Sequence, residues 1–149
     1  MKYDVDYFIR MFKRIPQRNF TTKEYRNSMN PKKCCALGHC GVDKAPENFI
    51  SIEEFRYKIG RKVNKKAQSL YDLVYNSLGI EINVINDGKI DKYQQATPKQ
   101  RILAALYDIK KLQEEKQSVK EVIKEVIVYK TVEVDSKVKA LATEEKILN

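Results

Sequence analysis

The densest group of reactive side chains in the chain is Cys34, Cys35, His39 and Cys40, which lie within seven residues. On a helix, Cys35 and His39 stand four positions apart and share a face, so both could reach one metal ion or one substrate atom. A structural zinc site draws four ligands, usually as two spaced pairs, and the sequence offers no second pair. No metal is therefore assigned. A nucleophilic arrangement would make Cys35 or Cys40 a thiolate activated by His39, the single histidine, with Asn86 or Asp87 orienting the imidazole. The competing explanation is packing. Cysteine is among the most buried residue types, and the adjoining Ala36-Leu37 suits a core. Asn86-Asp87-Gly88 lacks the alternating acids and closing Glu of a calcium loop, and no Walker, Rossmann or kinase glycine pattern occurs, so no cofactor is expected. Cys35, His39, Asn86 and Asp87 remain the set from which a small enzyme site or ligand pocket would be built.

A second kind of chemistry is electrostatic. The chain carries 29 Lys/Arg against 20 Asp/Glu, a formal charge of +9. Residues 1–66 hold 16 of these bases against 7 acids, whereas residues 112–149 hold 7 against 8. Such a field favours an anionic partner, either nucleic acid or an acidic protein, while also serving solubility. Lys32, Lys33, Arg56, Arg61, Lys62, Lys65 and Lys66 are the side chains expected to make that basic face. Among the nine tyrosines, Tyr25, Tyr57 and Tyr93 adjoin basic residues, a pattern that suits base stacking and an amphipathic core edge equally.

The elements that must position these groups follow from pattern. A hydrophobic content of 42% is too high for a disordered chain, and 149 residues suit one core with appendages. Asp4 caps a first helix with Phe8, Met11, Phe12 and Ile15 on one face, stopped by Pro16. Residues 17–31 read as a loop. Pro31 to Gly41 suggests a short helix in which Gly38 implies close approach by a neighbouring backbone. Ser51 and Glu54 form a capping box for a long helix reaching Leu78. Residues 81–85 alternate with β-branched side chains and, with the Asn-Asp-Gly turn and residues 89–93, predict a β-hairpin. Thr97-Pro98-Lys99-Gln100 caps a helix with Ile102, Ala105, Leu106 and Ile109 inward. The expected fold is α+β and predominantly α: a compact four-helix basic domain over residues 1–112 with a short hairpin. A charged extension over 113–149 follows, mixing helix with a strand-like stretch at 126–134. Val119, Val122, Ile123 and Val126 fall at helical spacing in it, with too few apolar neighbours for a second core, so self-association or a partner arm is expected. No stretch approaches the ~18 apolar residues of a membrane span, the amino-terminal residues carry acids unlike a signal peptide, and an odd number of clustered cysteines argues against a disulfide framework. A cytoplasmic protein follows.

Four of these segments, Phe20-Thr21-Thr22, Cys35 to Gly41 (CALGHCG), Ile85 to Gly88 (INDG) and Thr97 to Leu106 (TPKQRILAAL), together resemble an uncharacterised family of small proteins from bacteriophages and bacterial genomes. The likeness covers residues 5–112 and excludes the extension. It implies a phage or prophage origin, hence a protein acting in the host cytoplasm or as a minor virion component. It also implies a binding role, such as host takeover, defence evasion or assembly, ahead of catalysis. His39, Asn86 and Asp87 are the polar positions that the resemblance marks.

Overall fold

The computed structural model describes residues 2–42 and 65–148, with side chains as far as residue 135. It divides into two compact units, Met1–Lys111 and Leu112–Asn149. No helix among the described residues is long and apolar enough to cross a membrane.

In the first unit, α1 spans Val5–Arg14, and Asp4 caps it by accepting the Tyr7 N–H at 2.9 Å. Its apolar face buries Val5, Phe8, Ile9 and Phe12. A 3₁₀ turn at Gln17–Asn19 follows Pro16, and the loop after it closes on itself around Cys34. The Cys34 N–H donates to Asn19 O at 3.0 Å, its carbonyl accepts the Thr21 N–H at 3.1 Å, and the Cys35 N–H donates to Tyr25 O at 3.2 Å. These pairings make only two isolated bridges, Phe20 with Cys34 and Arg26 with Cys34. A single helical turn, α2 (Ala36–His39), comes next. It ends in a Schellman closure, with Val42 N–H on Leu37 O at 3.2 Å, Gly41 N–H on Gly38 O at 2.9 Å, and Gly41 at φ 103°. Gly38 has the close neighbour that its sequence position implies: a Cβ there would lie 1.8 Å from Tyr25 O.

The helix expected over 51–78 is described from residue 65 onward, as α3 (Lys65–Leu78), with Ala67, Leu70, Tyr71 and Val74 buried. Its capping box at Ser51 and Glu54 lies outside the described residues.

The predicted β-hairpin is absent: the described residues contain no sheet, and Ile82–Asn86 forms a helical turn, α4. Ile82, Ile85 and Asn86 are buried at i, i+3 and i+4. A five-residue stretch with β-branched side chains satisfies a period of two and this helical spacing alike, and burial selects the helix. Asn86-Asp87-Gly88 is accordingly a helix terminus and not a strand reversal. Lys89 N–H reaches Val84 O at 3.2 Å, Gly88 N–H reaches Ile85 O at 3.1 Å, and Gly88 takes φ 75°. Residues 89–93, assigned to the second strand, are irregular, with a bend at 90 and a turn at 91–92.

The last helix, α5, spans Pro98–Leu148. Its capping box is reciprocal, with Gln100 N–H on Thr97 Oγ1 at 3.3 Å and Thr97 N–H on Gln100 Oε1 at 3.2 Å. Ile102, Ala105, Leu106 and Ile109 join the buried cluster of the first unit. The second unit is the remainder of this helix, so the stretch at 126–134 that reads as strand-like is helical as well. Local β-propensity from Val126 to Val134 yields to helix propagation, in which each added residue closes one more backbone bond.

Two cations in the first turn of α5 tie the shorter helices to it. Lys99 Nζ donates to Lys13 O at 3.0 Å and Ile15 O at 2.8 Å, at the carboxyl end of α1. Arg101, only 8% exposed, donates from Nε and Nη2 to Asn86 O at 3.2 and 2.7 Å, at the end of α4, and from Nη1 to Gln95 O at 2.8 Å. Helix carboxyl ends carry unpaired carbonyls and partial negative charge, so each cation satisfies acceptors that would otherwise need water.

Candidate anion-binding cleft

The loop closed around Cys34 and the turn of α2 form one wall of an open cleft of about 580 Å³, and the end of α1 forms the other. Arg14, Arg26, Lys32, Asn19 and His39 contribute its polar lining, and no carboxylate lies among the described residues that line it. Arg26 is positioned by its own hydrogen bonds, from Nη1 to Pro31 O at 2.5 Å and from Nη2 to Gly38 O at 3.5 Å. The 3₁₀ turn after Pro16 brings Asn19 beside α2, where its carbonyl lies 2.8 Å from His39 Nε2. The imidazole packs on Phe20 with ring centroids 4.8 Å apart. Burial lowers the His39 pKa from its ordinary value of 6.5, against the raising effect of the Asn19 carbonyl and with a smaller lowering from Arg26. The ring is therefore neutral at pH 7 and donates Nε2–H to Asn19.

The other residues of the proposed pocket serve the frame. Cys35 is the cap of α2, its Sγ accepting the Gly38 N–H at 3.5 Å. Burial pushes its thiol up to about 11 and that of Cys40 up to about 12, the opposite of thiolate activation. Cys34, Cys35 and Cys40 are all free and buried. Asn86, fully buried, uses Oδ1 to accept the Ala36 N–H at 3.1 Å and Nδ2 to donate to Thr21 O at 2.9 Å and to Asp87 Oδ1 at 3.0 Å. One side chain thus joins α4, the loop and α2. Asp87 Oδ1 also accepts the Lys23 N–H at 3.0 Å, which holds Lys23 in the left-handed region at φ 64°.

Cys35 and Asp87 share a small recess of about 150 Å³ with Tyr25, Lys23, Glu24 and Asn83. His39 lines the other cleft. The four residues grouped from sequence are thus dispersed: Cys35 and Asp87 line one surface, His39 another, and Asn86 is buried between elements, while the imidazole and the Cys35 thiol have separate hydrogen-bond partners. Burial, with Cys35, Glu81 and Asp87 nearby, also pushes the Tyr25 phenol up to about 12. No group of three or more His, Cys, Asp or Glu among the described residues could hold a metal ion.

Of the seven basic side chains named from sequence, Lys32 lines the cleft. Lys33 is exposed, and its carbonyl accepts the Asn27 N–H at 2.9 Å. Lys65 is exposed at the start of α3, and the half-buried Lys66 places Nζ 6.0 Å from the Tyr7 ring centroid. Arg56, Arg61 and Lys62 lie outside the described residues. Arg14 and Arg26 were not singled out. Arg14 reads as the outward face of an amphipathic helix, and Arg26 sits in a polar loop without periodicity. The only signal for Arg26 was the adjoining Tyr25 and the loop's crowding with Asn and Thr.

Comparisons with protein-family models, with curated proteins and with solved structures returned no match.

Proposed function

We propose that the chain is a non-enzymatic binding protein that takes the phosphodiester backbone of a nucleic acid in the cleft formed by Arg14, Arg26, Lys32 and His39. The observation that carries this reading is the lining itself, to which three cationic residues and no carboxylate contribute among the described residues. Two of the three are arginines, whose planar fork matches phosphate oxygens in a way lysine does not. Over residues 1–111 there are 22 bases and 12 acids, so the surrounding field concentrates polyanions toward the cleft. Burial raises the thiols of Cys35 and Cys40, the two cysteines that a nucleophilic arrangement would use, which favours binding over thiol chemistry at those positions. A host-acting phage protein, as the family resemblance implies, fits a binding role of this kind.

The test is titration of labelled single- and double-stranded oligonucleotides at several salt concentrations. Arg14→Ala and Lys32→Ala should each weaken binding several-fold and reduce the log K against log salt slope by roughly 0.7 to 0.9 per lost phosphate contact. The exposed Lys89→Ala, away from the cleft, should leave both unchanged. Absence of binding at low salt, or retention of full affinity in an Arg14→Ala/Lys32→Ala double variant, would overturn the reading. Binding confined to an acidic polypeptide would replace nucleic acid with a protein partner.

A further inference from the structure

We infer that residues 112–135 of α5 assemble with the same segment of further copies of this chain, with the helices parallel and in register. The inference is independent of the cleft. Every side chain from Lys111 to Asp135 is exposed. They include Val119 at 57%, Val122 at 58%, Ile123 at 53%, Val126 at 48% and Ile127 at 59%. Helix geometry advances about 100° per residue, so Leu112, Val119, Ile123 and Val126 fall on one narrow stripe. Their steps of seven, four and three residues are those of a coiled-coil seam. An isolated helix of this composition gains little from propensity, and covering the stripe supplies what solvent does not.

Charge selects the occupant and its direction. Unlike the basic first unit, residues 112–135 hold 4 bases and 6 acids, so copies of this segment meet with only weak net repulsion and the placement of the charges decides. One flank of the stripe carries Lys120 and Ile127, and the other carries Glu115, Val122 and Tyr129. In a parallel pair each flank faces the opposite flank of its partner, five residues further along. Glu115 then meets Lys120 of a second copy, Val122 meets Ile127, and Tyr129 meets Val134: charge on opposite charge and apolar on apolar. Antiparallel helices set each flank against its own kind, which leaves Glu115 and Lys120 without opposite charges. Lys116, Lys130 and Glu133 interrupt the stripe, and polar residues at seam positions fix register at some cost in stability.

The experiment uses the full chain. Light scattering at ~100 µM protein, far above the level at which a weak pair with ~10 µM affinity dissociates, should give a mass that is a multiple of 17.4 kDa. An Ile123→Lys/Val126→Lys variant should return to the single-chain mass with the tyrosine near-ultraviolet signal of the first unit retained. Direction is read from two separate variants, Leu112→Cys and Val126→Cys, under mild oxidation, with the parent chain reporting background from its three buried cysteines. Parallel, in-register helices cross-link like residues at both positions, whereas antiparallel ones can do so at no more than one. A single-chain mass for the parent, an unchanged mass for the double variant, or cross-linking at only one position would each overturn the inference.

Discussion

His39 is the only histidine in the chain, which makes its environment measurable without interference from another imidazole. Its pKa is lowered, chiefly by burial, so between the folded value and the ordinary 6.5 the unfolded chain binds a proton that the folded chain does not. Stability from this group is complete above about pH 6.5 and declines as pH falls toward the folded pKa. Urea midpoints should therefore drop between pH 7.5 and pH 5.5 in the parent and change much less in His39→Gln. A parent midpoint that holds steady, or rises, over that interval would show that the ring is not held neutral against Asn19. Asn86 illustrates the other side of residue-scale reasoning. Sequence marked it as an orienting group for catalysis, whereas its buried amide joins α2, the loop and Asp87, with both Nδ2 hydrogens engaged inside the fold.

At the scale of elements, Lys99 and Arg101 show how a first helical turn can organise the ends of two other helices. Arg101 is the more demanding case, because a guanidinium that is 8% exposed relies on carbonyl acceptors for its charge. Arg101→Met should cost about 2–4 kcal/mol, since it leaves the Asn86 and Gln95 carbonyls without these donors. The loss would appear as a lower denaturant midpoint at unchanged slope, and a loss below ~0.5 kcal/mol would mean that water replaces the guanidinium freely. The capping residues Asp4 and Thr97 were legible in the sequence because each acts within four residues of itself. Gly38 was legible for the same reason, since a glycine inside a helical turn calls for an external explanation. The α4 segment was not, because five residues cannot separate a period of two from a helical one and the glycine after Asn-Asp serves either ending. Arg14 and Arg26 were illegible because only the loop closed around Cys34 brings them to one cleft. That closure is made by backbone groups, which carry no sequence signature.

On the scale of the whole molecule, the two units differ in what they lack. All buried side chains among the described residues lie at or before Ile109, so the first unit holds its own core and exposes charge. The second holds exposed apolar side chains with nearly balanced charge. A chain ending at Lys111 should accordingly retain cooperative unfolding, with a midpoint temperature within about 3 °C of the full chain measured at high dilution. Concentration separates core from assembly in this comparison. Copies that associate through residues 112–135 stabilise the full chain by mass action, so its midpoint should climb with protein concentration while that of the shorter chain stays fixed. On a long nucleic acid the same assembly would present several clefts at once. The full chain should then bind more tightly than the shorter one on long strands and equally on strands that fill one cleft, because only the former let a second cleft bind at high effective concentration. A shorter chain that fails to fold would show instead that the core depends on residues beyond Lys111, and would remove the basis for assigning cleft and assembly to separate parts of the molecule.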